Sequence, residues 1–348
     1  MKCVLLASIF SSIDRPPCLL FAMAFGGNAA ARDDPAPRRW LVVDFDGTCT
    51  AEDTTPLLPC LASLHAGDDD EARRSRLGAF RTLEEKFFRA HTEVKDTLFA
   101  GSSEDLHYAL DALDQVSSSV TADVSKSACL AGLPSSPEEM AGVLDRDGEL
   151  RSGARLRAGC AEALAGAHQA GWELGVLSVN WCPPLIEAIL IGGVRRHQSR
   201  MDERGTPPAP EIWSNVVDET GTVELRVPGA AAKRSRIAAI RKGCSRATGE
   251  RGAEGESVEK HPVIVYIGDS STDLSALLEA DIGVLLGRSN TVASFAKRWG
   301  ICLASLAERR RGSAENCSNL LHARDSDTVW IADDWSQIEK LLRDIGDV

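Results

Sequence analysis

The stretch Trp40-Leu-Val-Val-Asp44-Phe-Asp46-Gly-Thr48 limits most strongly what this chain can become. Four consecutive apolar residues read as a buried strand, and the run stops at two aspartates and a glycine. Side chains of a strand alternate faces, so Asp44 and Asp46 are expected on the same side. Two carboxylates that share a side repel each other unless a cation lies between them or a reaction uses both. A turn opened by Asp44 and closed by Asp46-Gly47 would give the same letters. The stretch alone leaves both readings open.

The remaining chain alternates short apolar runs with helical patterns. Residues 172–178, 263–267, 281–286 and 329–331 read as strands, and 212–217 with 222–227 as a hairpin across Glu219-Thr-Gly221. Residues 154–170, 181–191, 230–242, 270–280 and 336–345 read as helices. Strands alternating with helices predict an α/β fold with a doubly wound parallel sheet, whose site lies at the C-terminal ends of the strands. Between the first two strands no strand pattern occurs. There 54–64, 71–100, 106–116 and 137–144 have helical spacing, with Leu77, Phe80, Leu83, Phe87 and Phe88 on the longest segment. Residues 53–150 are therefore expected to form a helical insertion, and 40–52 with 151–348 the sheet domain. Residues 246–260 and 309–327 read as polar loops.

With 348 residues, 43% of them hydrophobic, the chain can bury one large or two smaller cores. A net charge of −12 argues against wholesale nucleic-acid or anionic-membrane binding. It leaves room for a small phosphorylated substrate, because a bound cation reverses the local field. The ten cysteines have no C-x-x-C spacing, so neither a zinc nor a thioredoxin-type site is suggested, and a reducing compartment fits best. Cys49 is given a packing role. Residues 1–39 stand apart as a leader and linker. Their two apolar runs are too short to span a bilayer, and an acid-poor start with serine and arginine suits a transit peptide or a dispensable segment better than secretion. The expected location is cytoplasmic or, with such a leader, mitochondrial or plastid.

Three further termini carry polar groups suited to chemistry. Leu177-Ser178-Val179-Asn180 ends the second strand, where a hydroxyl beside a helix start can hold an anion, although an ordinary N-cap serine looks the same. Lys233 opens a helix with Arg234 and Arg236 beside it, a placement the helix dipole opposes unless an anion sits there. Charge alone does not choose between Lys233 and Arg234. Gly268-Asp269-Ser-Ser-Thr-Asp273 follows the strand at 263–267. Ser270 and Asp273 also spell a capping box, which does not account for Asp269.

Taken in order, Asp44-x-Asp46-Gly-Thr48, Ser178, Lys233 and Gly268-Asp269-x-x-x-Asp273 resemble the four motifs of the haloacid dehalogenase-like (HAD) superfamily over roughly residues 40 to 300. The resemblance implies a Rossmannoid sheet and a helical C1-type cap inserted after its first strand. It implies Asp44 as nucleophile and Asp46 as general acid and base. It further implies Mg²⁺ held by Asp44, the Asp46 carbonyl and Asp269, with Asp273 in support, and phosphoryl oxygens held by Ser178 and Lys233, with Thr48 fixing the loop. An acid at Asp46 distinguishes phosphatases from dehalogenases in that family, and the lack of a transmembrane run excludes an ion pump.

The 134 positions between Asp44 and Ser178 accommodate the cap, as in the phosphoserine-phosphatase branch, where an acid matching Asp53 contacts a substrate cation. Thr272 and Ser178-Val-Asn180 depart from that branch. A finer likeness, carried by Thr48-Cys49-Thr50, Asp53-Thr54, residues 177–182 and 266–283, is to the phosphatase half of plant bifunctional thiamine-biosynthesis proteins. It implies thiamine monophosphate as substrate, with Asp53, Asn180 and a stacking Trp181 near it; Trp181 packed against the sheet is the alternative. The expected function is a Mg²⁺-dependent phosphomonoesterase acting on a small organic phosphate. A phosphomutase and a silent phosphate-sensing scaffold are the competing readings.

Overall fold

The computed structural model describes residues 38–101, 105–198, 210–247, 261–308 and 328–346. Residues 1–37 of the leader, 248–260 of the first polar loop and the loop at 309–327 lie outside them.

Apolar runs become the strands of one seven-stranded sheet. β1 (Arg39–Val43) is flanked by β2 (Glu173–Leu177) and β6 (Val263–Gly268), with β3 (Glu211–Trp213) beyond β2. On the other side β7 (Ile282–Leu286), β9 (Thr328–Ala332) and β8 (Cys302–Ser305) follow β6. Every neighbouring pair is parallel. The chain winds outward from β1 through β2 to β3, then returns to the opposite side of β1 at β6. That reversal opens a crevice beyond the C-terminal ends of β1 and β6, where an open α/β sheet places its ligands.

Both faces of the sheet are covered, which is why its strands are continuous apolar runs. Leu41, Val43, Val265 and Ile267 point into one core, shared with α6 (Cys160–Gln169), α7 (Pro183–Gln198) and α11 (Trp335–Gly346). Trp40, Val42, Ile264 and Tyr266 point into the other, beneath α8 (Ala230–Ala247), α9 (Leu274–Glu279) and α10 (Asn290–Trp299).

Between β1 and β2 the described chain is helical: α1 (Leu58–Ala66), α2 (Asp70–Ala100), α3 (Leu106–Ser127), α4 (Pro137–Arg146) and the short α5 (Gly148–Gly153). Asp69, Asp105 and Ser136 cap three of them through the amides of the first turn. α3 continues eleven residues past the expected end at 116. Its polar run stays helical because Val120 and Val124 continue the buried apolar stripe, while Ser117, Ser118, Thr121 and Ser125 donate back to carbonyls one turn earlier.

The expected strand at 212–217 is two. β3 joins the sheet, whereas β4 (Val216–Val217) turns away to pair with β5 (Val223–Glu224). Asn215 makes the break. Its amide donates to the Val179 and Val227 carbonyls, and its oxygen accepts from Arg226 and Val227 amides. The helix expected from 154 starts only at Cys160, because the segment before it is extended and bridges Thr50 through Leu156. β8 and α10 carry no expectation from the sequence; Ser289 caps α10 by accepting from the Val292 amide.

Candidate active site

β1 ends at Val43, and the Asp44 amide donates to the Ile267 carbonyl, which extends the β1–β6 pairing by one residue. The chain then turns tightly over Phe45–Cys49, with Gly47 at φ +74°. A Cβ at Gly47 would fall against the Asp269 carboxylate, so glycine serves both the backbone sign and the close approach. The turn begins immediately after Asp44, so strand alternation does not set where Asp46 points, and the two carboxylates take different hydrogen-bond partners.

Asp44 faces Lys233. The Lys233 Nζ, wholly buried, donates to Asp44 Oδ1 at 2.8 Å and to Asp273 Oδ1 at 2.7 Å. The dipole of α8 does not oppose this cation unaided, since Asp114 of α3 accepts from the Ala231 amide at the helix start. Arg234 is half-buried, and Arg236 lies over the Trp213 ring. Lys233 is the member of the basic run that enters the site.

Asp273 accepts from Lys233 and Tyr266 Oη (2.7 Å) through Oδ1, and from the Asp269 amide, Ser270 amide and Ser270 Oγ through Oδ2. Five donors occupy the roughly four lone-pair directions of a carboxylate. Burial opposes its charge, but Lys233, Tyr266 and the Ser270 amide together outweigh burial and hold its pKa below the ordinary value. Asp269 receives the Thr48 hydroxyl at 3.1 Å and is pushed up to about 6, by burial first and then by Asp273. Burial and Asp273 likewise raise Asp44 well above the ordinary carboxylate value, against the pull of Lys233.

Among the described residues, Asp44, Asp269 and Asp273 form a group whose ligand oxygens all lie within 4.8 Å of one another. Three carboxylates face one ammonium, so the cluster lacks positive charge. A hard divalent cation with oxygen ligands fits that deficit and that donor set. Asp44 and Asp269 have the freer oxygens to offer it; Asp273 is committed to Lys233 and the loop.

Asp46 lies within the same turn, two residues after Asp44. Its Oδ1 accepts from the Thr54 amide (2.8 Å) and hydroxyl (2.7 Å), and its Oδ2 from Asn180 Nδ2 (2.7 Å). Burial first, then the charge of Asp53, push its carboxyl up to about 6. Such a group can both give and take a proton near neutral pH. Ser178 is fully buried, and its Oγ accepts from the Asn180 amide. Asn180→Ala removes one of the three donors to Asp46. If Asp46 moves the proton, kcat falls about 10- to 100-fold with KM little changed in steady-state kinetics, since proton transfer by a placed side chain contributes on the order of 10²–10⁴.

Asp53 is exposed and accepts from the Thr55 amide. It lines a cavity of about 230 Å³ between α2, α3 and the strand ends, with Phe80, Glu84, Phe87, Trp181 and Thr272 among its walls. Trp181 meets Phe80 edge to face at 6.5 Å, so the ring packs against the helical insertion rather than only against the sheet. Cys49 is buried and donates to the Asp44 carbonyl at 3.2 Å. Three contributors were given no role from the sequence. Thr54 lacked a partner until the fold brought Asp46 to it. Tyr266 reads as one more strand residue, its single signal being a phenol in an otherwise aliphatic run. Arg157, in an arginine-containing stretch, gives no signal; its Nε donates to the carbonyls of Gly47 (2.9 Å) and Thr50 (3.2 Å).

No protein-family model matches the chain. Among curated proteins it is 24% identical over 321 residues to the bifunctional TH2 protein, mitochondrial, of Arabidopsis thaliana, covering 85% of this chain and 48% of the relative. The chain thus spans about half the length of that protein. Among solved structures, a protein of unknown function from Bordetella pertussis Tohama I has a TM-score of 0.43 at 16% identity, covering 76% of this chain and 97% of its own. Phosphoserine phosphatase from T. onnurineus has a TM-score of 0.38 at 12% identity, covering 90% and 98%. TM-scores below 0.5 have no bearing on what this chain does. No described helix is long and apolar enough to cross a membrane.

Proposed function

We propose that this chain, a member of the haloacid dehalogenase-like superfamily, is a Mg²⁺-dependent phosphomonoesterase that works through an aspartyl-phosphate. The observation that carries the reading is the buried Lys233 ammonium shared by Asp44 and Asp273, beside an Asp269 that completes a cluster one cation short.

In this reading an Asp44 oxygen attacks phosphorus while the ester oxygen leaves with a proton from Asp46. Water then attacks the acyl phosphate, Asp46 takes its proton, and inorganic phosphate departs with Asp44 restored. Lys233, with Ser178, holds phosphoryl oxygens; Asp273, itself held by the Tyr266 hydroxyl, holds Lys233. Asp44, Asp269 and the Asp46 carbonyl would hold Mg²⁺, whose charge offsets that of phosphate and carboxylates. Asp46 keeps its acid–base role because Thr54 and Asn180 fix both of its oxygens.

Substrate class is proposed from the adjoining cavity. Aromatic walls (Phe80, Phe87, Trp181) with the carboxylates of Asp53 and Glu84 suit a flat leaving group that bears positive charge. Thiamine monophosphate has that chemistry, and the similarity to the plant protein supports testing it first. The helical insertion would act as the cap closing over this cavity. Organellar import is proposed on the acid-poor start of the chain, and fusing residues 1–39 to a fluorescent reporter tests it.

Phosphate release from a panel of phosphomonoesters, with Mg²⁺ and with EDTA, tests the reading. Turnover is expected with Mg²⁺, to be lost with EDTA and to return when Mg²⁺ is added back. A folded, metal-loaded protein inert toward every ester would transfer the assignment to a phosphate-sensing scaffold. Asp53→Asn and Glu84→Gln should each raise KM about tenfold for thiamine monophosphate, roughly 1.4 kcal/mol, and leave neutral esters nearly unchanged. Equal losses on charged and neutral esters would remove the cation contact from the proposal.

A further inference from the structure

The turn that carries Asp44 and Asp46 closes on itself through the Thr50 amide (3.0 Å) and hydroxyl (3.3 Å) to the Phe45 carbonyl and through Cys49 Sγ to the Asp44 carbonyl (3.2 Å), with Gly47 in left-handed backbone. Its later carbonyls, from Gly47 to Thr50, are taken from outside. Arg157 uses its amide for the Cys49 carbonyl (2.8 Å) and its Nε for those of Gly47 and Thr50. Trp335, the first residue of α11 and wholly buried, donates its indole Nε1 to the Thr48 carbonyl at 3.0 Å. A Cβ on Gly159 would lie 3.1 Å from that of Trp335, so α11 packs tightly on the segment that follows Arg157.

We infer that Arg157 and Trp335 are positioning residues, which grip the carbonyl side of the turn from two directions and so set the placement of Asp44 and Asp46. The inference rests on the phosphatase reading for its kinetic consequence, but the grip itself is independent of it. A guanidinium can present one N–H between two carbonyls while its plane stays fixed; a lysine ammonium on a flexible stem cannot reproduce that.

The test uses the full chain with Arg157→Ala, Arg157→Lys and Trp335→Phe, each checked for folding by circular dichroism. Arg157→Ala should lose about 10²-fold in kcat with KM within threefold, the size of effect a slight misplacement of reacting groups produces. Methylguanidinium in the assay should restore part of that kcat, and Arg157→Lys should not match the wild type. Trp335→Phe, which keeps a ring in place of the indole, should lose about tenfold in kcat. Mg²⁺ affinity, read by calorimetry without substrate, should weaken at least about tenfold in Arg157→Ala.

Wild-type kcat and Mg²⁺ affinity in a folded Arg157→Ala would overturn the inference. So would a loss that tracks stability alone and does not respond to methylguanidinium. If Arg157→Ala does not fold, Trp335→Phe decides through the same kcat and KM comparison. If the wild type itself releases no phosphate, the phosphatase reading fails, and the Mg²⁺ affinities still decide the grip.

Discussion

Asp44→Asn is expected to abolish phosphate release and to leave the chain folded. The substitution keeps the shape of the side chain and removes the oxygen that would attack phosphorus. Loss of a covalent nucleophile costs on the order of 10⁶-fold in kcat where it has been dissected, and a drop of at least about 10⁴ is expected here. Folding should survive because Asp44 is not comfortable as an anion: burial and the charges of Asp273 and Asp269 raise it, and Lys233 pulls it back. Lys233 retains Asp273 at 2.7 Å when Asp44 is neutralised, so no ammonium is left unpaired. Phosphate release and thermal unfolding, measured on the same preparation, check the two halves. An unfolded variant would assign Asp44 a structural role; a folded and fully active one would remove it from the chemistry.

Lys233→Met should damage both activity and stability. The Nζ is wholly buried between two carboxylates, with Asp269 close by. Burial disfavours its ammonium, but Asp273 and then Asp44 outweigh that and hold the proton more tightly than on a free lysine. Methionine keeps much of the volume and takes away the only ammonium in the cluster. Removing one partner of a buried ion pair costs about 3–5 kcal/mol, because the remaining charge has nowhere to go. The denaturant midpoint should fall accordingly, and turnover should drop by at least about 10³, as for other charge-stabilising groups at a reacting centre. Added Mg²⁺ should recover part of the stability and none of the turnover. A variant as stable as the wild type without metal would mean that the carboxylates are neutral in the folded protein.

Much of this molecule was legible in the sequence because one physical rule, burial on two sides, writes itself as continuous apolar runs. β1, β2, β6 and β7 were expected from such runs, and all pair in parallel. The long helix α2 was expected from the spacing of Leu77, Phe80, Leu83 and Phe87. Local rules failed where a side chain from elsewhere set the backbone. Asn215 split one expected strand in two, and the extended segment bridging to Thr50 delayed a helix until Cys160. Burial of Val120 and Val124 carried α3 through a serine-rich run that propensity alone would end.

What the sequence alone determined is the order of chemistry-bearing termini: acids after β1 and β6, a hydroxyl after β2 and a lysine in the first turn of α8. Residue type and position along the chain suffice for that, since strand ends are local features. Tertiary structure decided which of them meet. It gave Asp44 and Asp46 different partners, Lys233 for the first and Thr54 with Asn180 for the second. Lys233, not Arg234, was placed between carboxylates 189 and 40 positions away. Arg157, 110 residues from Gly47, was brought onto the turn by a contact no periodicity encodes. Partnership across such separations depends on how the sheet winds, and that is settled only when both cores are packed.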